Sequence, residues 1–190
     1  MLFDLQAAFP SLSVEFLQAA LEQIGVPLAA RRMVRAFYHD QTCRISLAGD
    51  TYPGFGIHSG IRQGCPLSPL LFAAVTDMLL RILELRFPTL VARAFADDTA
   101  AVSEALATEA DSIMRTFQEY GSMSGLHLNL QKTVVIPLAD VDPAAWGERF
   151  TAAHPSWTGV QFATWATYLG FAVGPGKADH SWDKANTKLV

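Results

Sequence analysis

After Ser13 the apolar residues Phe16, Leu17, Ala20, Leu21 and Ile24 recur at helical spacing, with Glu15 in the first turn. This predicts a helix capped by Ser13 and stopped by Gly25. Pro27 suits the start of a second helix, with Met33, Val34 and Phe37 inward and the arginines outward. Cys43 to Leu47 and Tyr52 to Ile57 read as strands around the turn signal Gly49-Asp50. Ser68-Pro69 predicts an N-cap followed by Pro at the first helical position. The helix to about Arg86 is apolar nearly all round, so it should be deeply buried. Its charges, Asp77, Arg81 and Glu84, make one narrow stripe.

Met1 to Leu5 reads as a short strand. Leu90 to Phe95 and Thr99 to Val102 read as two more, joined by a tight turn at Ala96-Asp97-Asp98. Thr108 to Asp111 has the form of a capping box, opening a helix with Ile113, Met114 and Phe117 inward and an end near Gly121. Val134 to Ile136 is a strand, Ala139 to Trp165 has no clear pattern, and Thr167 to Val173 reads as a last strand. Strands and helices mix around a hairpin. This favours an α+β fold, with helices packed on one face of a mainly antiparallel sheet.

Composition narrows the class. Of 190 residues, 51% are apolar and 17% charged, which excludes a disordered chain. The net charge of −4 argues against a free-standing, non-specific nucleic-acid binder. Two cysteines, Cys43 and Cys65, are too few for a disulfide framework and fit a reducing, intracellular setting. No stretch has the apolar length of a membrane span, so no membrane partner is expected.

Three segments carry candidate chemistry. In Phe95-Ala96-Asp97-Asp98-Thr99 two carboxylates share a tight turn. Unpaired they repel, and a hard cation such as Mg²⁺ relieves the conflict. By itself the pair is more simply a solvated hairpin turn. Asp4 is a lone acid in an apolar strand, followed by Ala8 and Phe9. A two-metal site wants a third carboxylate from another strand. Between them, Ser59-Gly60-Ile61-Arg62-Gln63-Gly64-Cys65-Pro66 is a glycine-spaced loop opening onto the buried helix. It offers planar hydrogen-bonding groups at Arg62 and Gln63.

In this order the segments resemble the palm of a reverse transcriptase, of the type found in non-LTR retrotransposons and group II introns. Asp4 to Phe9 is similar to the first catalytic motif, Gly60 to Pro69 to the Gln-Gly-x-Pro loop and its helix, and Phe95 to Asp98 to the Asp-Asp hairpin. Gly125-Leu126-His127-Leu128-Asn129 with Lys132-Thr133, and Tyr168-Leu169-Gly170, resemble the two motifs that follow. One departure is Pro10, which stands where the family often has a second Asp.

The resemblance implies an RNA-directed DNA polymerase that adds dNTPs to a DNA primer 3′-OH on an RNA template. Asp4, Asp97, Asp98 and the Leu5 carbonyl would hold two Mg²⁺ ions, with Mn²⁺ as a substitute. Phe9 would exclude a 2′-OH. Gly60, Arg62, Gln63, Gly64 and Pro66 would meet the template–nucleotide pair, Lys132 would donate a proton to pyrophosphate, and Tyr168, Leu169 and Gly170 would hold the primer. It also implies a palm over residues 1–173, a polar tail over 174–190, and a fragment lacking fingers and a full thumb. The alternative is an inactive remnant that keeps the palm fold. A palm-type nucleotide cyclase gives no reason for Gln63-Gly64-Cys65-Pro66, and an RNA-binding module would want a basic sheet.

Overall fold

A computed structural model describes residues 1–177. At its centre, β1 (Leu2–Phe3) lies between two later segments of the chain. β4 (Val91–Phe95) and β5 (Asp98–Val102) form a hairpin, β5 pairs with β1, and β6 (Val134–Val135) flanks β1 on its other side. β7 (Gln161–Phe162) closes the order β4-β5-β1-β6-β7, pairing with β6 in parallel; every other pairing in this sheet is antiparallel.

Alternation along the strands gives the sheet two faces. Phe3, Thr99, Ala101 and Val135 are buried toward the helices. Against them pack α4 (Ser68–Arg86), through Leu71, Phe72, Val75, Leu79 and Leu83, and α5 (Leu106–Ser124), through Ile113, Met114, Phe117 and Tyr120. Phe3 meets Phe117 at 4.6 Å between ring centroids. The Tyr120 hydroxyl donates to the Val75 carbonyl at 2.8 Å, tying α5 to α4. Leu2, Ala100 and Val102 on the opposite face line an apolar groove of about 680 Å³. The fold is thus α+β, with its main helices on one face.

The N-terminal half adds α1 (Ala8–Ser11), α2 (Val14–Gln23) and α3 (Leu28–Tyr38), with α2 packed on α3, α4 and α5. Ser13 caps α2 as expected, accepting from the Phe16 N–H at 3.1 Å. β2 (Gln41–Leu47) and β3 (Asp50–Ile57) form a separate hairpin. Its turn residues Ala48 and Gly49 both have positive φ (53° and 93°), the form that matches strand twist.

Several expectations need correction. Val34 is buried as expected, but Met33 and Phe37 are exposed, as is Ile24; α3 buries only Val34 and Tyr38, because its contact stripe is narrow. Ser68 does not cap α4 but sits inside it, its hydroxyl donating to the Arg62 carbonyl at 2.6 Å. Thr108 is likewise inside α5, which begins at Leu106, and its hydroxyl bonds back to Ala105. The stop for α5 is Gly125, left-handed at φ 80°, and not Gly121, where His127 packs against the helix. The unpatterned stretch holds α6 (Pro143–Ala153), a 3₁₀ turn (Pro155–Trp157) and β7. The signal for α6 was Asp142-Pro143: the Asp142 carboxylate accepts from the N–H groups of Ala144 and Ala145. The last strand is a hairpin, β8 (Ala166–Tyr168) and β9 (Phe171–Val173), turning at Leu169-Gly170. The tail expected over 174–190 lies from residue 178 onward outside the described residues.

Candidate active site

β1 and β5 pair with Leu2 opposite Ala100 and Phe3 opposite Thr99. Asp4 follows β1 directly, so one step further along that register falls at Asp98, which feels the Asp4 charge. The β4–β5 loop has two residues, Ala96 and Asp97, with Ala96 left-handed at φ 51°. This tight reversal puts Asp97 directly before Asp98 at the end of the hairpin. Burial, then the charges of Asp97 and Asp4, hold the Asp98 carboxyl above the usual carboxylate range. Three acids from two segments therefore share one electrostatic neighbourhood.

The segment after α5 completes it. The Gln6 N–H donates to the His127 carbonyl and the Asn129 N–H to the Asp4 carbonyl, both at 2.8 Å. These bonds flank the Leu5–Leu128 bridge, a non-hydrogen-bonded pair that leaves the Leu5 carbonyl outside the ladder. The same turn carries Lys132, whose Nζ lies 4.0 Å from Asp4 Oδ2. Asn129 closes the Gly-Leu-x-Leu-Asn motif noted in the sequence, and its contact with Asp4 is made by its backbone.

The glycine loop reaches the site from the other side. The Ile61 N–H donates to the Phe9 carbonyl at 2.8 Å and the Gly60 N–H to the Leu12 carbonyl at 2.7 Å. Gly60 is left-handed at φ 88°, and a Cβ there would stand 2.6 Å from the Pro10 Cα. Only glycine lets the loop lie this close to α1. Phe9 stacks on Phe72 of α4, centroids 4.8 Å apart and planes 13° from parallel. Gln63, Gly64 and Pro66 are exposed, and a Cβ at Gly64 would meet only open space. Arg62 is engaged elsewhere: its guanidinium donates to the Phe37 carbonyl and to Gln41. Burial, then the Asp98 charge, raises the Tyr168 phenol, which places β8 within electrostatic reach of the acids. Leu169 and Gly170 form the turn beyond it, both with positive φ.

Among the described residues no three Asp, Glu, His or Cys side chains form a ready-made cage for one ion. The donors still suit a hard cation. Asp4, Asp97 and Asp98 carry hard oxygen donors, and the repulsion of Asp97 and Asp4 felt at Asp98 is one that a divalent ion would relieve. No helix among the described residues is long and apolar enough to cross a membrane.

Comparison with known proteins agrees with this geometry. Residues 1–173 match the family described as reverse transcriptase (RNA-dependent DNA polymerase). The chain is 30% identical over 151 residues to a retrovirus-related Pol polyprotein from the type-1 retrotransposable element R2 of Popillia japonica, covering 72% of this chain and 20% of that protein. It is 31% identical over 139 residues to the Pol polyprotein from the type-2 retrotransposable element R2DM of Drosophila melanogaster, covering 70% of this chain and 13% of that protein. The chain thus spans a fifth or less of the length of these two relatives. An acid pair on a hairpin, set beside a third acid just past the neighbouring strand, and a family match over nearly the whole sequence place this chain in the reverse transcriptase family.

Proposed function

We infer that this chain is the palm of a retroelement RNA-directed DNA polymerase, extending a DNA primer on an RNA template. The β1–β5 pairing that brings Asp4 to the Asp97–Asp98 hairpin is the observation that supports this most. Two divalent cations, Mg²⁺ or Mn²⁺, held by Asp4, Asp97, Asp98 and the Leu5 carbonyl, would supply the Lewis acidity that activates the 3′-OH and steadies the leaving pyrophosphate. Asp97 ends the two-residue loop and Asp98 opens β5, so both are held by the β4–β5 register.

Phe9, braced by Phe72, forms the floor that excludes a 2′-hydroxyl and so selects dNTPs. Gln63, with Gly64 and Pro66 exposed beside it, meets the template–nucleotide pair. Gly60 serves that surface by bringing the loop down onto Pro10. Lys132, exposed and close to Asp4, donates a proton to pyrophosphate. Tyr168, Leu169 and Gly170 hold the primer end from the hairpin turn.

Primer extension on an RNA template with Mg²⁺ tests the reading. The assay uses this chain, and a chimera in which it replaces the matching segment of an R2 Pol polyprotein. The chimera is expected to extend the primer and to lose extension with Asp97→Asn. A correctly folded chimera that never extends would favour the inactive remnant. Extension that survives Asp97→Asn would overturn the ligand assignment.

A further inference from the structure

Arg62 immediately precedes the exposed Gln63, yet both of its ends are tied down. Its Nη2 donates to the Phe37 carbonyl at 3.0 Å, and its Nε to Gln41 Oε1 at 3.2 Å. Phe37 lies in the last turn of α3, where carbonyls lack helical partners and a cation is favoured. Gln41 is the first residue of β2. At its other end, the Arg62 carbonyl accepts the hydroxyl of Ser68, itself buried, at 2.6 Å, and the Cys65 N–H at 3.4 Å. The Tyr38 hydroxyl lies 3.4 Å from the same Ser68 oxygen. One residue therefore joins the end of α3, the root of the β2–β3 hairpin and the start of α4.

We propose that Arg62 is a positioning residue, whose guanidinium fork locks the Gln63–Gly64 turn to the α3–β2 junction rather than reading template or nucleotide itself. What the turn is positioned for rests on the polymerase reading; that it is held does not. A planar fork suits two acceptors from different elements, which a lysine ammonium on a flexible stem does not match. The link also couples the β2–β3 hairpin to the nucleotide-facing loop, since both hang on the same side chain.

Two measurements on the 190-residue chain test this. The first is hydrogen exchange at the Cys65 and Ser68 amides, which bond to the Arg62 and Cys65 carbonyls. Gln41→Leu and Arg62→Ala should each speed exchange at Cys65 by about three- to tenfold, as expected for loss of a charge-assisted bond. The double variant should be no faster than the larger single, and core amides such as Val75 should be unchanged. Arg62→Lys should behave like Arg62→Ala. Unchanged exchange in Gln41→Leu, or effects that multiply in the double variant, would overturn the proposal.

The second is primer extension by the chimera described above. Both single variants should raise KM for dNTP by about three- to tenfold and leave kcat within about twofold, because they disturb binding geometry and not the reacting atoms. A KM raised by Arg62→Ala alone would mark a direct nucleic-acid contact and overturn the proposal. If the parent chimera does not extend at all, the polymerase reading fails, while the exchange result still decides the role of Arg62.

Discussion

Thr99 follows the acid pair directly, is 1% exposed, and its hydroxyl has no hydrogen-bond partner. A buried hydroxyl without a partner costs about 1–3 kcal/mol. Thr99→Val keeps the branched shape on the core face and removes that cost. It is expected to stabilise the chain by about 1 kcal/mol, read as a higher urea midpoint with unchanged slope. Asp98, one residue earlier, has the opposite problem: its environment disfavours the charge. A cation binds the ionised form, so protons compete, and a raised carboxyl lets that competition begin at higher pH than for an ordinary Asp near 3.9. Mg²⁺ affinity, measured by calorimetry, should therefore hold at neutral pH and weaken as pH falls toward the raised value. Asp4→Asn removes a ligand as well as one of the charges that raise Asp98, so Mg²⁺ affinity should fall at neutral pH while the onset of its weakening moves to lower pH. Gly60→Ala places a Cβ against the Pro10 backbone in a left-handed conformation, and should cost about 2 kcal/mol or more.

At the scale of elements, α4 carries the core. Leu71, Phe72, Val75, Leu79 and Leu83 are almost fully buried, while Leu70 and Leu85 are exposed at 67% and 84%. Leu79→Ala should cost about 2–5 kcal/mol and Leu85→Ala close to nothing, a contrast that denaturant unfolding will read directly. α5 and the turn after α6 meet through Asp111, whose carboxylate accepts from Ser156 Oγ and bonds His154 Nδ1, each at 2.9 Å. These contacts, that of His154 first, lower the Asp111 carboxyl. A depressed acid contributes stability that is present above its unfolded value and lost as pH falls through the folded one. Asp111→Asn is therefore expected to lower Tm at neutral pH, with the difference from the parent shrinking as pH falls below about 4.

For the whole molecule, any ligand of the folded state alone stabilises it by mass action. Mg²⁺ at a hundred times its Kd should add about 2.7 kcal/mol to unfolding stability. Asp97→Asn should remove most of that gain without lowering the metal-free Tm, since Asp97 is an exposed loop residue. A gain that persists in Asp97→Asn would mean that the ion binds elsewhere. The apolar groove on the open face of the sheet, lined by Leu2, Val102, Ile136, Trp146 and Tyr168, lies outside this test, because it presents no carboxylate cluster.

Local chemistry determined much of this protein. The Ser13 cap, the buried run after Pro69 and the Asp97-Asp98 turn are short-range signals, and the order of the motif residues marked the family. Tertiary structure decided the rest, because the remaining choices depend on partners distant in sequence. Ser68 leaves the cap position because Arg62 offers its carbonyl from across the loop. Met33 and Phe37 are exposed because α3 spends its narrow contact stripe on Val34 and Tyr38. Thr167 to Val173 breaks into a hairpin because Leu169 and Gly170 take positive φ, which a run of strand-formers with one glycine does not announce. The meeting of Asp4 with Asp98 required the β1–β5 register, a pairing between segments about half the chain apart. Arg62 shows the division most plainly. Its sequence context pointed to the nucleotide, while the fold gave its guanidinium two acceptors, 21 and 25 residues earlier in the chain. A side chain's reach is set by its neighbours in space, and those are fixed only once the elements have packed.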